Sequence, residues 1–405
     1  MNQTYDVIVV GLGAMGSAAL YQLAKRGMHV LGIDQYEPPH TLGSTHGETR
    51  ITRQANGEGA AYTPLALRSY ELWREEEAIT KQELLTITGG LIVEDRDGAA
   101  FHGQSGFVER TAKVASEYNI AHQVLDATGI HAHSPLLKLK GNEIGYYEPN
   151  AGLLRPERIV QTQIALARAL GAQVHTNECV THVDVSGAGQ ATVVTAQGRY
   201  KAAKVVLAAG PWIGDLLGSA LARNFAVYRQ VIYWFKADEI ERFQQGHFPF
   251  LIWIADKQEE FLSIFTVLND SQPAVKLLTE EYVADTTPQT VNRAVAQAEI
   301  SHMYNHFLAN RVDGLRNECV QSAVCLYTNT ADEHFVIDFH PQHPEIIVAS
   351  PCSGHGFKHS AAIGEVIAQL ATDGESQFDL SQFRFARLHQ GQTHQKSEGK
   401  LEENP

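Results

Sequence analysis

The stretch DVIVVGLGAMG, from Asp6 to Gly16, predicts a buried parallel β-strand that runs into a glycine-rich turn. A helical pattern with apolar residues at helical spacing begins at Ala14. In such a unit the first glycine permits the turn, the second lets the backbone approach a pyrophosphate, and the third lets the helix pack closely on the strand. The phosphates then lie at the helix N-terminus, where unpaired N–H groups and the helix dipole attract anions. The stretch therefore predicts a dinucleotide-binding unit built on Gly11, Gly13 and Gly16.

An acidic residue follows the next predicted strand. The apolar segment from Met28 to Ile33 ends at Asp34, close to the spacing of ~20 residues at which a carboxylate accepts from a ribose hydroxyl. A lone GxGxxG pattern can arise by chance, but here the strand before it, the helix after it and this acid agree. Asp34 favours FAD or NAD over NADP, and the motif alone is compatible with both FAD and NAD.

Composition limits the classes of protein that remain. A chain of 405 residues with 44% hydrophobic side chains is long for one compact domain and predicts two. The formal net charge of −14 offers no broad basic surface for nucleic acid or anionic lipid. No apolar run approaches the ~20 residues of a membrane span, so we expect a cytoplasmic protein without a membrane partner. The four cysteines form no CxxC pair, and no spacing predicts a metal site.

A long loop follows Asp34. The segment QYEPPHTLGSTHGETRITRQ, residues 35–54, is rich in Gly, Ser, Thr, His and Pro, and loops of this length are commonly functional. It carries Arg50 and Arg53, three residues apart. Solvated surface charge is the usual state of arginine, and the spacing alone favours that interpretation. The alternative places both beside a cofactor or substrate, where a planar guanidinium can fix a carboxylate.

Two later segments also predict a strand that ends in a loop where a ligand can bind. KVVLAAGPW, residues 204–212, predicts a strand that ends in small residues where a backbone can approach a ligand. EIIVASPCSGHGFKHSAAIGEVIAQLATDG, residues 345–374, predicts a strand, a Gly/Ser/His loop and an amphipathic helix from about Ser360 to Leu370. Because a helix N-terminus repels cations, Lys358 at this helix start needs an anionic partner.

The motifs GLGAMG, GSTHGETRITR, AGLLRPER, AAGPW, CLYTNTADEHFVID and SGHGFK occur in that order along the chain. Together they resemble the monomeric sarcosine oxidase and N-methyltryptophan oxidase family of flavin amine oxidases. The resemblance implies an α/β fold with a discontinuous Rossmann-like FAD-binding domain and a smaller substrate domain with a mixed or antiparallel sheet. We expect the first in residues 1–89, 152–226 and 322–388, the second in residues 90–151 and 227–321, and a polar tail in residues 389–405. The family also implies a monomer.

The resemblance implies an activity. The secondary amine of an N-alkyl amino acid would be oxidised to an imine that hydrolyses, with O2 reduced to hydrogen peroxide. The residues remain compatible with four alternatives. These are an NAD-dependent dehydrogenase with the same opening strand, an FAD-dependent dehydrogenase that passes electrons to an acceptor other than oxygen, an enzyme acting on a cyclic imino acid or larger amine, and a noncatalytic flavin-fold binding module.

Residue roles follow from the same resemblance. Cys325 occupies the position that bonds the flavin covalently, although on the residues alone it is most simply a small buried side chain. Tyr327, two residues on and therefore on the same face of the strand, would line the substrate side. Arg53 and Lys358 match the pair that holds the substrate carboxylate. Arg50 matches the family arginine that lies against the flavin. His46 matches a family histidine near the isoalloxazine ring of the flavin. The full set expected to bind the cofactor is Gly11, Gly13, Ala14, Met15, Gly16, Asp34, Gln35, Ser44, Thr45, Arg50, Val180, Gly210, Trp212, Cys325, Gly354, Gly356, Phe357 and Lys358.

One segment departs from the family pattern. A family lysine activates oxygen, and PAVKLL makes Lys276 the candidate. The glycine-rich, tyrosine-containing approach of the family is replaced by FLSIFTVLNDSQP, and its histidine four residues after the lysine is Glu280. If Glu280 faces the pocket, the substrate should carry a second positive group or hydrogen-bond donor. Alternatively, Glu280 lies at the surface beside Glu281.

Overall fold

The computed structural model describes residues 4–96, 105–185, 189–255, 260–282 and 284–389. The polar tail predicted for residues 389–405 lies outside the described residues from position 390 onward.

The first sheet forms the nucleotide-binding half of the fold and has eight strands within the described residues. Its central strand, Thr4–Val10, pairs in parallel with Val30–Ile33 on one side and Arg199–Leu207 on the other. The parallel arrangement continues outward to Gln173–His175 and His343–Ser350. The remaining strands pair antiparallel and all lie beyond Arg199–Leu207, on the side away from the central strand: Ala191–Thr195, Val180–Val185 and Val336–His340. This parallel order is the Rossmann-like arrangement predicted from the opening motif.

Both faces of the central strand are buried. Val7 and Val9 join the apolar cluster formed with the helices Ala14–Lys25, Pro156–Ala169 and Ser360–Asp373. Ile8 and Val10 face a second cluster with the antiparallel strands. A strand covered on both sides has no polar face, which explains its continuous apolar run.

The second sheet is mixed, as predicted. Phe250–Ile254 runs parallel to Gly90–Asp95, and the other pairings are antiparallel. Its other strands are Gln123–Leu125, Glu143–Glu148, Ala226–Ala237, Phe261–Ile264, Val275–Leu278, Asp285–Thr286 and Leu315–Asn329. A small antiparallel sheet contains Arg50–Thr52, Leu85–Ile87 and Gly152–Leu154.

The domain limits stay a prediction; one of them falls between two of these sheets, and another falls inside a strand. Residue 89 separates Leu85–Ile87 of the small sheet from Gly90–Asp95 of the second sheet, and Gly89 has a φ of 73°. The limit between residues 321 and 322 falls inside the continuous strand Leu315–Asn329. That strand carries Cys325 and links the two halves of the fold.

The remaining helices lie between the strands. The other α-helices are Thr63–Thr80, Phe107–Glu117, Ala127–His133, Ile213–Leu217, Ser219–Ala222 and Gln297–His302. Short 3-10 turns occupy Ala60–Tyr62, Gly210–Trp212, Ile240–Phe243, Phe357–His359, Ser381–Phe383 and Phe385–His389, and Met303–Leu308 is a π-helical turn. Among the described residues, none of these helices combines the length and apolarity that crossing a bilayer requires.

Candidate active site

The glycine-rich turn is packed so closely that side chains are excluded from it. A Cβ on Gly16 would lie 1.7 Å from the carbonyl oxygen of Gly11, and a Cβ on Gly11 would lie 2.5 Å from that of Ala208. Gly11 has a φ of 88°, in the left-handed region that glycine adopts without strain. The helix begins at Ala14, whose N–H lies 3.4 Å from the hydroxyl of Thr45. The N-cap residue is Gly13, which has no side chain to cap the helix, and a helix N-terminus of this kind fits a pyrophosphate.

Asp34 is buried beside the same turn. One carboxylate oxygen accepts from the N–H of Leu12 at 2.7 Å, and the other accepts from the N–H of Tyr36 at 2.9 Å. These bonds fix the turn to the end of the second strand, a structural role that the sequence did not predict. The predicted contact with a ribose hydroxyl stays a prediction.

One cavity connects the glycine-rich turn to the second sheet. Every residue predicted to contact cofactor or substrate lines this cavity except Gly16, His46 and Lys276. Asp34, Val180 and Trp212 lie at the nucleotide end, and Cys325, Tyr327 and Lys358 lie at the end formed by the second sheet. The cavity therefore brings together segments that are far apart in the chain.

Cys325 lies in the wall of this cavity with its thiol next to a guanidinium. Its Sγ is 3.4 Å from the carbonyl oxygen of Ser44 and 3.7 Å from Nη2 of Arg50. Burial raises the pKa of the thiol, while the charges of Arg50 and Lys276 oppose that increase. Tyr327 also lines the cavity, which confirms that the two residues share one face of the strand.

The loop that carries Arg50 is held from several sides. Arg50 donates to the carbonyl oxygens of Ser44 at 2.8 Å and Thr49 at 2.9 Å. Glu157, in the first turn of the helix Pro156–Ala169, accepts from the N–H of Gly47 at 2.6 Å. These contacts hold residues 44–50 of the predicted loop in the wall of the cavity.

Lys276 holds the same loop from behind the cavity wall. Its ammonium donates to the carbonyl oxygens of Gly47 at 2.8 Å and Thr49 at 2.5 Å, and lies 4.0 Å from the ring centroid of Phe265. Phe265 itself lines the cavity. Burial and the charge of Arg50 hold the pKa of Lys276 well below its usual value. The charge of Lys276 is therefore close to the cavity but separated from it by an aromatic ring.

His46 is a neutral buried imidazole. It is 2% exposed, and its Nε2 has no hydrogen-bond partner among the described residues. Burial, assisted by the charges of Arg50 and Lys276, lowers its pKa to about 3.

Arg53 and Lys358 meet at a carboxylate that the sequence analysis missed. One oxygen of Glu58 accepts from Nη2 of Arg53 at 2.5 Å and from Nζ of Lys358 at 3.3 Å. Their side chains are only 5%, 4% and 3% exposed for Arg53, Glu58 and Lys358. The solvated interpretation of Arg53 is therefore wrong. The available signal was a single acid among small residues in QANGEGAAY, residues 54–62.

The ammonium of Lys358 is poised to change charge near neutrality. Burial, reinforced by Arg53, lowers its pKa from 10.5 to about 7, while the charge of Glu58 opposes that decrease. Lys358 also donates to the carbonyl oxygen of His355 at 2.8 Å. The anionic partner of Lys358 in the structure is Glu58, and the predicted contact of this lysine with a substrate carboxylate stays a prediction.

Comparison with known proteins identifies the family. Residues 6–370 match the family model described as DAO, FAD dependent oxidoreductase. The chain belongs to this family. Monomeric sarcosine oxidase from Bacillus sp. (strain B-0618) is 38% identical over 390 residues, covering 96% of this chain and 97% of that protein. N-methyl-L-tryptophan oxidase from Escherichia coli is 34% identical over 385 residues, covering 95% of this chain and 99% of that protein. These matches confirm the resemblance drawn from the motifs.

A solved structure supports the fold of this FAD dependent oxidoreductase. The open form of NikD, described as an unusual amino acid oxidase essential for nikkomycin biosynthesis, aligns with a TM-score of 0.81. The two chains are 23% identical over 95% of this chain and 98% of the other, so the likeness concerns the fold alone. The family selects FAD over the NAD alternative, and the glycine turn and the helix N-terminus fit the pyrophosphate of FAD.

Glu280 lines the cavity of this FAD dependent oxidoreductase at the end formed by the second sheet, called the substrate end below because the predicted substrate-binding residues lie there. It is 9% exposed and follows the strand Val275–Leu278. The alternative that placed it at the solvent surface is therefore wrong.

Proposed function

We propose that the protein oxidises the C–N bond of a secondary, N-alkyl amino acid to an imine that hydrolyses, with O2 reduced to hydrogen peroxide. The observation that carries this proposal is the single cavity joining the glycine turn, the thiol of Cys325 and the buried cations Arg53 and Lys358. The oxidase names of the relatives support it. FAD, when bound, accepts the equivalent of a hydride from the carbon attached to nitrogen and transfers two electrons to oxygen.

In this proposal the protein supplies position and charge. Arg53 and Lys358 bind the substrate carboxylate with charge-assisted hydrogen bonds, which orients the reacting carbon. Glu58 occupies those donors in the structure, so the incoming carboxylate has to share them. The substrate amine reacts in its neutral form, because a protonated nitrogen has no lone pair to stabilise the developing cation. Activity should therefore fall at low pH.

Arg50 and Lys276 have a different role in the proposal. The Arg50 guanidinium lies next to the thiol of Cys325 and, together with the protonated form of Lys276, stabilises negative charge that develops as oxygen accepts electrons. Both are fixed by backbone carbonyl groups of the loop 44–49, so no reorganisation is needed. Lys276 acts through the ring of Phe265 rather than by direct contact with the cavity.

We attribute a covalent bond to FAD to Cys325. Its thiol is buried in the cavity wall beside Arg50, whose charge partly offsets the rise in pKa that burial causes in this thiol. Cys352 provides a matched control because it lines the same cavity from the loop that follows the strand His343–Ser350. We further propose a monomeric, cytoplasmic protein, in keeping with the word "monomeric" in the name of the sarcosine oxidases.

The test uses the purified holoprotein. Acid precipitation should leave a yellow pellet, and N-methyl amino acids should release hydrogen peroxide in air and bleach the flavin without air. A yellow supernatant contradicts the covalent bond. Bleaching without peroxide in air indicates a dehydrogenase, and a flavin that no N-alkyl or cyclic amino acid bleaches contradicts the proposed reaction. Light scattering tests the monomer.

A further inference from the structure

A carboxylate faces the substrate end of the cavity. Oε1 of Glu280 lies 3.2 Å from the position that a Cβ on Gly354 would occupy, and the ring of Tyr327 lies 3.1 Å from the same point. Gly354 belongs to the loop that leads to Lys358. Glu280 therefore lies between the predicted substrate-facing tyrosine and the loop that carries the carboxylate-binding lysine.

The protein holds this carboxylate in place. The hydroxyl of Tyr282 donates to Oε2 of Glu280 at 3.2 Å. Burial, together with the charge of Glu280, keeps the pKa of Tyr282 well above its usual value, so the tyrosine stays a neutral donor. Its ring packs edge-on against Tyr228 at 5.2 Å between centroids. Glu280 is thus a positioned acceptor in a largely desolvated site.

Charged groups of both signs line this cavity. Arg50, Arg53 and Lys358 lie in its wall together with the carboxylates Glu58 and Glu280. Glu58 accepts from both Arg53 and Lys358, and Glu280 accepts from the neutral hydroxyl of Tyr282. A carboxylate that faces a cavity attracts a cationic group of a ligand, and the low dielectric of a buried site strengthens that attraction.

Resting on the function proposed above, we propose that Glu280 selects N-alkyl amino acids that carry a second, cationic group on the side chain. The carboxylate of the substrate binds Arg53 and Lys358, and the side-chain cation binds Glu280. Opposite charge at the two ends of the ligand fixes its direction in the cavity. Substrates with a neutral or anionic side chain, including sarcosine, lack this contact.

The test separates the side-chain cation from the reacting amine. Two probes carry an ether oxygen in place of that amine: the cationic 2-methoxy-6-aminohexanoate and 2-methoxyhexanoate, which lacks the side-chain cation. Each is titrated into the holoprotein, and binding is followed by the change in flavin absorbance. The cationic probe should bind roughly 10- to 100-fold more tightly, the range expected for one charge-assisted hydrogen bond in a buried site. Equal affinity, or failure of the cationic probe to bind, overturns the proposal without any variant.

Variants test whether Glu280 causes the preference for the cationic probe. Glu280→Gln, which keeps the shape of the side chain, should abolish the preference for the cationic probe. Tyr282→Phe should reduce it. The matched control Glu281→Gln makes the same change at the next residue, outside the cavity lining, and should keep the preference. A preference that survives Glu280→Gln overturns the proposal.

Oxidation provides a second readout. Glu280→Gln should lower kcat/KM for Nα-methyl-lysine roughly 10- to 100-fold and leave Nα-methyl-norleucine unchanged. An equal loss for both would mean that Glu280 acts on the shared amine, which overturns the proposal. The proposed function fails separately, when no N-methyl amino acid bleaches the flavin. Bleaching by these substrates without a preference for the cation contradicts only the inference about Glu280.

Discussion

Binding of a simple carboxylate should weaken as Lys358 loses its proton. Lys358 titrates near 7 rather than 10.5 because its ammonium is buried. The protonated form binds the carboxylate, so affinity is full below pH 7 and is lost as the pH rises through that value. One charge-assisted hydrogen bond is worth ~1.5–3 kcal/mol, or about 10- to 150-fold in affinity. The dissociation constant should therefore rise about tenfold per pH unit from pH 7 and level off near pH 8–9.

Methoxyacetate is a suitable ligand because it carries a carboxylate but no amine that titrates. Its dissociation constant is measured from the flavin absorbance of the holoprotein between pH 6 and 9.5. Lys358→Met should bind weakly throughout and show no rise across this range. Lys358→Arg, which stays charged, should also lose the rise. An affinity that does not change with pH in the natural protein, or the same rise in Lys358→Met, would refute the assignment of this titration to Lys358.

Three further outcomes are expected. Cys325→Ser should lose acid-stable flavin in the precipitated pellet, whereas Cys352→Ser should keep it; the reverse result would transfer the covalent bond to Cys352. Gly16→Ala should lower the melting temperature and the flavin content, because its Cβ would lie 1.7 Å from a backbone oxygen and overpacking costs about 1–3 kcal/mol or more. Burial raises the pKa of Glu76 from 4.5 to about 8, so its protonated form favours the fold below pH 4.5 and that contribution is lost as the pH rises through 8. In Glu76→Gln, where the new amide stays next to that of Gln163, the free energy of unfolding should therefore exceed that of the natural protein by up to about 5 kcal/mol at pH 9 and equal it at pH 4.5; an equal difference at both pH values would contradict this.

The nucleotide-binding half of the fold was predictable because its determinants are local. The glycine motif and the apolar runs on either side of it are short stretches that determine strand, turn and helix, and Gly16 is confined by the carbonyl oxygen of Gly11, five residues before it. The same holds for the shared face of Cys325 and Tyr327, which follows from the alternation of side chains along any strand.

The chemistry of the carboxylate-binding pair was not predictable from spacing. Arg53 and Lys358 are more than 300 residues apart in the chain, and their common partner Glu58 lies in a loop with no motif of its own. Whether Arg53 is solvated or buried depends on the helices and loops that cover it. Spacing alone favoured solvation, and the structure shows the opposite because Lys358 packs against the distant segment that carries both Arg53 and Glu58.

The sequence by itself determined the class of cofactor site, the family and the residue types available for catalysis, since motifs and backbone conformation depend on short stretches of chain. Only the tertiary structure decided that Lys276 lies behind Phe265, that Glu58 joins the two cations, and that Glu280 faces the cavity. These features depend on how distant segments pack together. The free energy of an ionised group is set by every element that removes water from it or brings another charge close to it.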